Sequence, residues 1–149
     1  MYLLLAQSLN KDDLHLSSLP YIMKYSNFIG VGAAVCLIAV CFAPWVYIEP
    51  LRLTLTGFQT NGTFYGMPGL MNVIVSIIAI VCFLLPHLGA KRTNLFICAF
   101  NLAWSVRNYL IVTQCQLGEC PEKRFGIYAL VSLAIVMMLM SLFPKVKVD

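Results

Sequence analysis

The chain has 149 residues, is 60% hydrophobic and 11% charged, and carries a formal net charge of +4. Ordinary globular domains are about a quarter charged, so this composition excludes a water-soluble domain. It also argues against nucleic acid as a partner, because the ten Lys and Arg residues are scattered between apolar stretches and form no basic face.

Residues 1–27 read as a cytoplasmic N-terminal segment. A short apolar run, Tyr2 to Ala6, is followed by polar Gln7 to Ser18, with no basic residue before it and no small-residue cleavage pattern after it, unlike a signal peptide. Met23-Lys24 makes a natural start just ahead of the first apolar stretch. Residues 1–22 are therefore expected to be a dispensable extension, with a cytoplasmic interfacial helix as the alternative.

Four apolar stretches follow, at about 28–48, 70–88, 95–113 and 125–143. Each is close to the ~20 residues that a helix needs to cross a hydrocarbon core of about 30 Å. The predicted fold is an all-α integral membrane protein, a four-transmembrane-helix bundle spanning 28–143, followed by a cytoplasmic tail at 144–149. In span one, Gly30 and Ala34 form a small-xxx-small pair that lets a neighbouring backbone approach, either in the same chain or in a second copy. Trp45 and Tyr47 stand at its outer end, where amphipathic rings mark the membrane boundary.

After span one the sequence changes period. Leu51, Leu53 and Leu55 alternate with Arg52, Thr54 and Thr56, which is a strand pattern, and Asn61-Gly62 is a strong two-residue hairpin signal. Such a turn pairs Thr60 with Thr63, Gln59 with Phe64 and Phe58 with Tyr65, giving a small extracytoplasmic β hairpin between helices 1 and 2. Gly57 interrupts the alternation and marks a bulge or bend. Asn61-Gly62-Thr63 also fits the N-glycosylation pattern, but the turn already accounts for it.

Span two is bounded by Gly66-Met67-Pro68-Gly69 and by Pro86 and is otherwise nearly featureless. Span three is the most polar, with Asn101, Trp104, Ser105, Arg107 and Asn108 inside eight residues. Positions 101, 105 and 108 share one helical face, which is expected to point into the bundle. Arg107 lies about 4 to 5 Å beyond the midpoint of the 95–113 span, and an unpaired charge there costs ~2.5 to 3.5 kcal/mol on insertion scales. Glu49 is its expected partner. Asn101, Trp104, Ser105, Arg107, Asn108 and Glu49 together make the candidate intramembrane site, either an anchor or a place for an anion, a lipid headgroup or a quinone-like carbonyl.

Six cysteines divide by position. Cys36, Cys41, Cys82 and Cys98 lie within spans, where a thiol acts as a small apolar group. Cys115 and Cys120 flank a short outer connection and are expected to form a disulfide. Metal is not expected, since His15 and His87 fall on the opposite side and two ligands do not complete a structural zinc site. Quinone-linked thiol oxidases and vitamin K epoxide reductases pair C-x-x-C with a second cysteine pair, and neither feature is present. Redox catalysis is therefore the least favoured reading.

Span four carries Phe125 and Tyr128 at one end, Phe143-Pro144 at the other, and Met137, Met138 and Met140 between them, which reads as flexible packing or a lipid face. Six cations (Lys11, Lys24, Lys91, Arg92, Lys145, Lys147) fall on one side of the membrane, against Arg52, Lys123 and Arg124 on the other. The positive-inside rule then places both termini in the cytoplasm of a plasma or bacterial inner membrane.

Four spans, a β-rich first outer loop and a short second one resemble the claudin-like membrane proteins in outline. Those proteins carry W, G-L-W and paired cysteines in the first outer loop, whereas residues 49–69 contain neither tryptophan nor cysteine. Their barrier function is not carried over. The expected role is a non-catalytic accessory, assembly or interaction subunit, with the lipid bilayer and a membrane protein or second copy as partners and no cofactor. An oligomeric carrier, channel or lipid-binding protein built around Arg107 is the alternative.

Overall fold

The computed structural model describes residues 25–49, 52–60, 66–115 and 120–143. The described chain is mostly helical: α1 is Tyr25–Val40, α2 Pro68–Leu84, α3 Leu88–Val112 and α4 Phe125–Leu142. Three short strands, β1 Val46–Ile48, β2 Leu53–Leu55 and β3 Glu122–Lys123, form one antiparallel sheet in the order β2-β1-β3. By length and composition, α3 and α4 are long and apolar enough to cross a membrane, while α1 and α2 are shorter apolar helices.

The first expected span, 28–48, is interrupted. Pro44 has no N–H to donate and biases Ala43 away from helical backbone. The helix tightens through Phe42 N–H to Ala39 carbonyl and Ala43 N–H to Val40 carbonyl, both 3.1 Å, and stops. The β-branched and aromatic run Val46-Tyr47-Ile48 then becomes a strand. Apolar length alone does not separate this strand from helix.

That strand supplies the partner for β2. Leu53–Leu55 is a strand as the alternation predicts, but it pairs backward with β1, Val46 opposite Leu55 and Ile48 opposite Leu53. Arg52 closes the connection with a left-handed backbone (φ 47°) and an N–H bond to the Glu49 carbonyl at 3.1 Å. The expected turn at Asn61-Gly62, with Thr63, Phe64 and Tyr65, lies outside the described residues. The bend near Gly57 is held by Thr56 Oγ1, which accepts from the N–H groups of Phe58 and Gln59.

On its other side β1 pairs with β3, Val46 opposite Lys123 and Tyr47 opposite Glu122. One sheet therefore ties both connecting segments together, where the sequence pattern predicts β structure in the first alone. The Cys115–Cys120 disulfide is formed in the segment leading to β3.

Two further boundaries shift. Pro68 opens α2 at a position where its missing N–H costs nothing, and Leu85 is extended because Pro86 follows. The third helix begins at Leu88, not near 95, with His87 Nδ1 accepting from Gly89 N–H at 3.1 Å as its cap. Lys91 and Arg92 thus lie in its first turns instead of in a loop.

The core joins all four helices. Ala33, Ala34 and Leu37 of α1 pack with Ala79 and Phe83 of α2, Cys98 of α3, and Ile127, Leu130, Ala134 and Met137 of α4. Gly30 admits the Phe83 ring, since a Cβ there would come within 2.5 Å of it. The small-xxx-small face therefore serves a contact inside the chain. Trp45 belongs to this core, 1% exposed, and is not a boundary ring.

Candidate functional site

The buried positions of α3 are Lys91, Asn94, Cys98, Asn101, Ser105, Asn108 and Val112. Their spacing alternates three and four residues, as a packed helix seam requires, yet polar groups stand where a soluble bundle would place leucine. Asn101, Ser105 and Asn108 do point inward, each no more than 1% exposed.

Their partners are on α2, the helix with the plainest sequence. Asn101 Nδ2 donates to Ser76 Oγ at 3.2 Å and lies 3.8 Å from Met137 Sδ of α4. The Ser105 hydroxyl is shared between the Asn101 carbonyl at 2.8 Å and Asn72 Oδ1 at 3.3 Å. Asn108 Nδ2 and Trp104 Nε1 both donate to the Pro68 carbonyl, at 3.3 and 3.2 Å. Sequence reasoning missed Asn72 and Ser76, although they stand one helical turn apart, the spacing that would have marked them. Among the described residues, two buried atoms, Asn72 Nδ2 and Asn101 Oδ1, have no hydrogen-bond partner. They are a donor and an acceptor on adjacent helices.

A buried hydrogen bond of this kind contributes about 0.5–1.5 kcal/mol. A double-mutant cycle of Asn72→Ala and Ser105→Ala, read by denaturant unfolding in detergent, should give a coupling in that range. A coupling of zero would show that the two side chains are buried side by side without bonding.

The other end of the stripe is a buried cation. Lys91 is 4% exposed, and its Nζ donates to Asn27 Oδ1 at 3.1 Å and to the Phe83 carbonyl at 2.6 Å. Phe83 lies in the last turn of α2, whose carbonyls have no helical partner and carry the negative end of the dipole. One side chain of α3 thereby fastens α1 and α2. Lys91→Met should lower stability by about 1–3 kcal/mol by leaving a carbonyl and an amide oxygen buried without donors. A shift of the thermal midpoint in detergent measures this, and an unchanged midpoint would remove Lys91 from the scaffold.

Arg107 and Glu49 do not join the stripe. Positions 105 and 107 are two residues apart, about 200° around a helix, so the guanidinium emerges on the far side of α3. It is exposed and lies over the Trp104 ring at 4.8 Å, with Phe100 stacked on the same indole at 6.1 Å. A helical side chain leans toward the N-terminus, which brings Arg107 back onto the residue three before it. Glu49 is exposed at the end of β1, and the expected Glu49 to Arg107 pair is not formed. Among the described residues the ion pair is Arg124 to Glu122, 3.1 Å and exposed.

The residues around the sheet make two cation–ring contacts. Arg124 sits over Tyr47 at 5.5 Å and Lys123 over Tyr109 at 5.7 Å. Among the described residues no group of three or more His, Cys, Asp or Glu is placed to hold a metal ion. No family model, curated protein or solved structure matches this chain, so its chemistry has to be read from these residues.

Proposed function

We propose that the chain is a four-span integral membrane protein with both termini in the cytoplasm, serving as a non-catalytic accessory, assembly or interaction subunit of a membrane complex. The observation that carries this reading is an inverted polarity. Amides, hydroxyls and a lysine are buried beside the apolar core, while Phe28, Phe96 and Phe125 are 75%, 75% and 80% exposed. In water that arrangement is unfavourable twice over, by exposed apolar area and by buried polar groups. In lipid the exposed rings meet hydrocarbon and the interior polar groups hold helices together.

At 16 and 17 residues, α1 and α2 are about 24–26 Å long. Local bilayer thinning covers a mismatch of that size at a fraction of a kcal/mol per Å. Most of the polar interior is spent on bonds between helices, which fits a scaffold better than a reaction site. Exposed Ile74, Ile77, Ile78 and Val81 leave an outer face of α2 open to a partner.

The test is extraction of the natively expressed protein in gentle detergent, with mass spectrometry of what accompanies it. Stoichiometric membrane proteins are the expected result. Labelling of single cysteines placed near each terminus from the outside would overturn the orientation, and release by alkaline carbonate would overturn the membrane reading. A second reading, a binding protein or carrier for a small polar molecule, draws on the unpartnered Asn72 Nδ2 and Asn101 Oδ1. A homo-oligomer holding one defined compound, with no other protein, would favour it.

A further inference from the structure

We infer that Arg107 and Trp104 form a site for the phosphate of an anionic phospholipid, whose acyl chain runs along Phe100 and Phe96; this rests on the membrane reading above.

Phe96, Phe100 and Arg107 lie on the side of α3 opposite its buried stripe, so they face the surroundings of the bundle. Phe96 is 75% exposed and Phe100 47%. The guanidinium is not paired with a carboxylate among the described residues. Its contact with Trp104, at 4.8 Å from carbon to ring centroid, uses its face and leaves the edge with its N–H groups free. That edge is a planar fork suited to two oxygens of one phosphate.

The platform under it is fixed. Trp104 donates its indole N–H to the Pro68 carbonyl at 3.2 Å, and Phe100 stacks on it with an interplanar angle of 22°. The charge is thus held at one place on the helix surface.

Depth sets the ligand. Arg107 is seven residues past Phe100, the middle of α3, which is about 10 Å along the axis and inside a hydrocarbon half-thickness of about 15 Å. A dissolved anion would have to leave water to reach it, whereas a lipid of the same leaflet holds its phosphate just beyond the hydrocarbon boundary with its acyl chain already in hydrocarbon, and local thinning of the bilayer around an intramembrane arginine brings the two together. A net negative headgroup is favoured over a zwitterionic one because the choline of the latter offsets the phosphate charge. A basic group near a bilayer surface gains about fivefold in affinity for anionic lipid.

The full chain is reconstituted in phosphatidylcholine bilayers with brominated-acyl phosphatidylglycerol or brominated-acyl phosphatidylcholine, and tryptophan quenching is followed. The chain has two tryptophans, and Trp45 is buried, so Trp104 reports. Wild-type protein should prefer brominated phosphatidylglycerol about fivefold, and Arg107→Gln should show no preference. Inorganic phosphate at constant ionic strength should leave the preference unchanged. Equal quenching by both lipids in the wild type, which needs no variant, would overturn the site while leaving α3 in the bilayer. The site is likewise overturned if Arg107→Gln keeps the preference or if inorganic phosphate abolishes it. Absence of quenching by either lipid would overturn the membrane reading itself.

Discussion

Trp45→Ala should destabilise the protein by about 3–5 kcal/mol, the range for deleting a buried aromatic side chain. The residue is 1% exposed and lies between the helical core and the sheet. Its backbone N–H donates to the Leu55 carbonyl at 2.8 Å, and its carbonyl accepts from Arg124 N–H at 2.9 Å. Its indole N–H donates to the Val40 carbonyl at 2.9 Å, satisfying one of the last acceptors of α1. Truncation to Ala leaves a cavity among α1, α4 and the bend at Gly57, and it removes the indole donor from the Val40 carbonyl. Trp45→Phe should cost less than the Ala variant, because it removes the hydrogen bond, at about 1 kcal/mol, together with only the smaller part of the ring volume. Denaturant unfolding in detergent measures both, and an Ala variant within about 1 kcal/mol of the wild type would mean that Trp45 is not part of the core.

Gly126→Ala should also destabilise the protein, by up to about 3 kcal/mol and for the opposite reason, an added atom. A Cβ at Gly126 would stand 2.5 Å from the Pro44 carbonyl oxygen and 2.9 Å from Trp45 Cδ1. Gly126 N–H donates to that same oxygen at 3.2 Å, so the first turn of α4 and the segment before β1 are already in contact. Overpacking typically costs about 1–3 kcal/mol, and the upper end applies where the obstacle is backbone that cannot rotate away. Gly69 presents the same situation, with its Cβ site 2.7 Å from Gly57 Cα. Gly32 supplies the control: a Cβ there meets nothing within 4 Å. Gly32→Ala in α1 should therefore be neutral or stabilising by up to about 1 kcal/mol. Equal thermal midpoints for Gly126→Ala and Gly32→Ala would refute the close approach.

These sites show why some of the fold is legible in the sequence. The Asn101, Ser105 and Asn108 face can be read because helical spacing alone decides which residues share a side. The same arithmetic puts Arg107 on the opposite side of α3, yet nearness in sequence and shared polarity group it with the asparagines. Asn72 and Ser76 escape notice, since two small polar residues in an apolar helix acquire meaning only when a facing helix brings Asn101 and Ser105 to them. Lys91 reads as a loop residue because its charge suggests water. Its ammonium instead finds the open carbonyl of Phe83, a partner supplied by another helix.

The four apolar segments, the alternation at Leu53–Leu55, the inward face of α3 and the Cys115–Cys120 pair were all set by local sequence, because each depends on residues near one another along the chain. Three other outcomes came from long-range packing: Val46–Ile48 leaves the helix to become the central strand, Trp45 is core, and Arg107 faces outward without Glu49. They depend on contacts between distant segments, namely the Leu55 and Arg124 backbones that bond to Trp45 and the α2 side chains that fill the buried side of α3. A local pattern contains no information about which remote surface will satisfy a hydrogen bond or fill a groove, and in this protein those remote contacts place the polar groups.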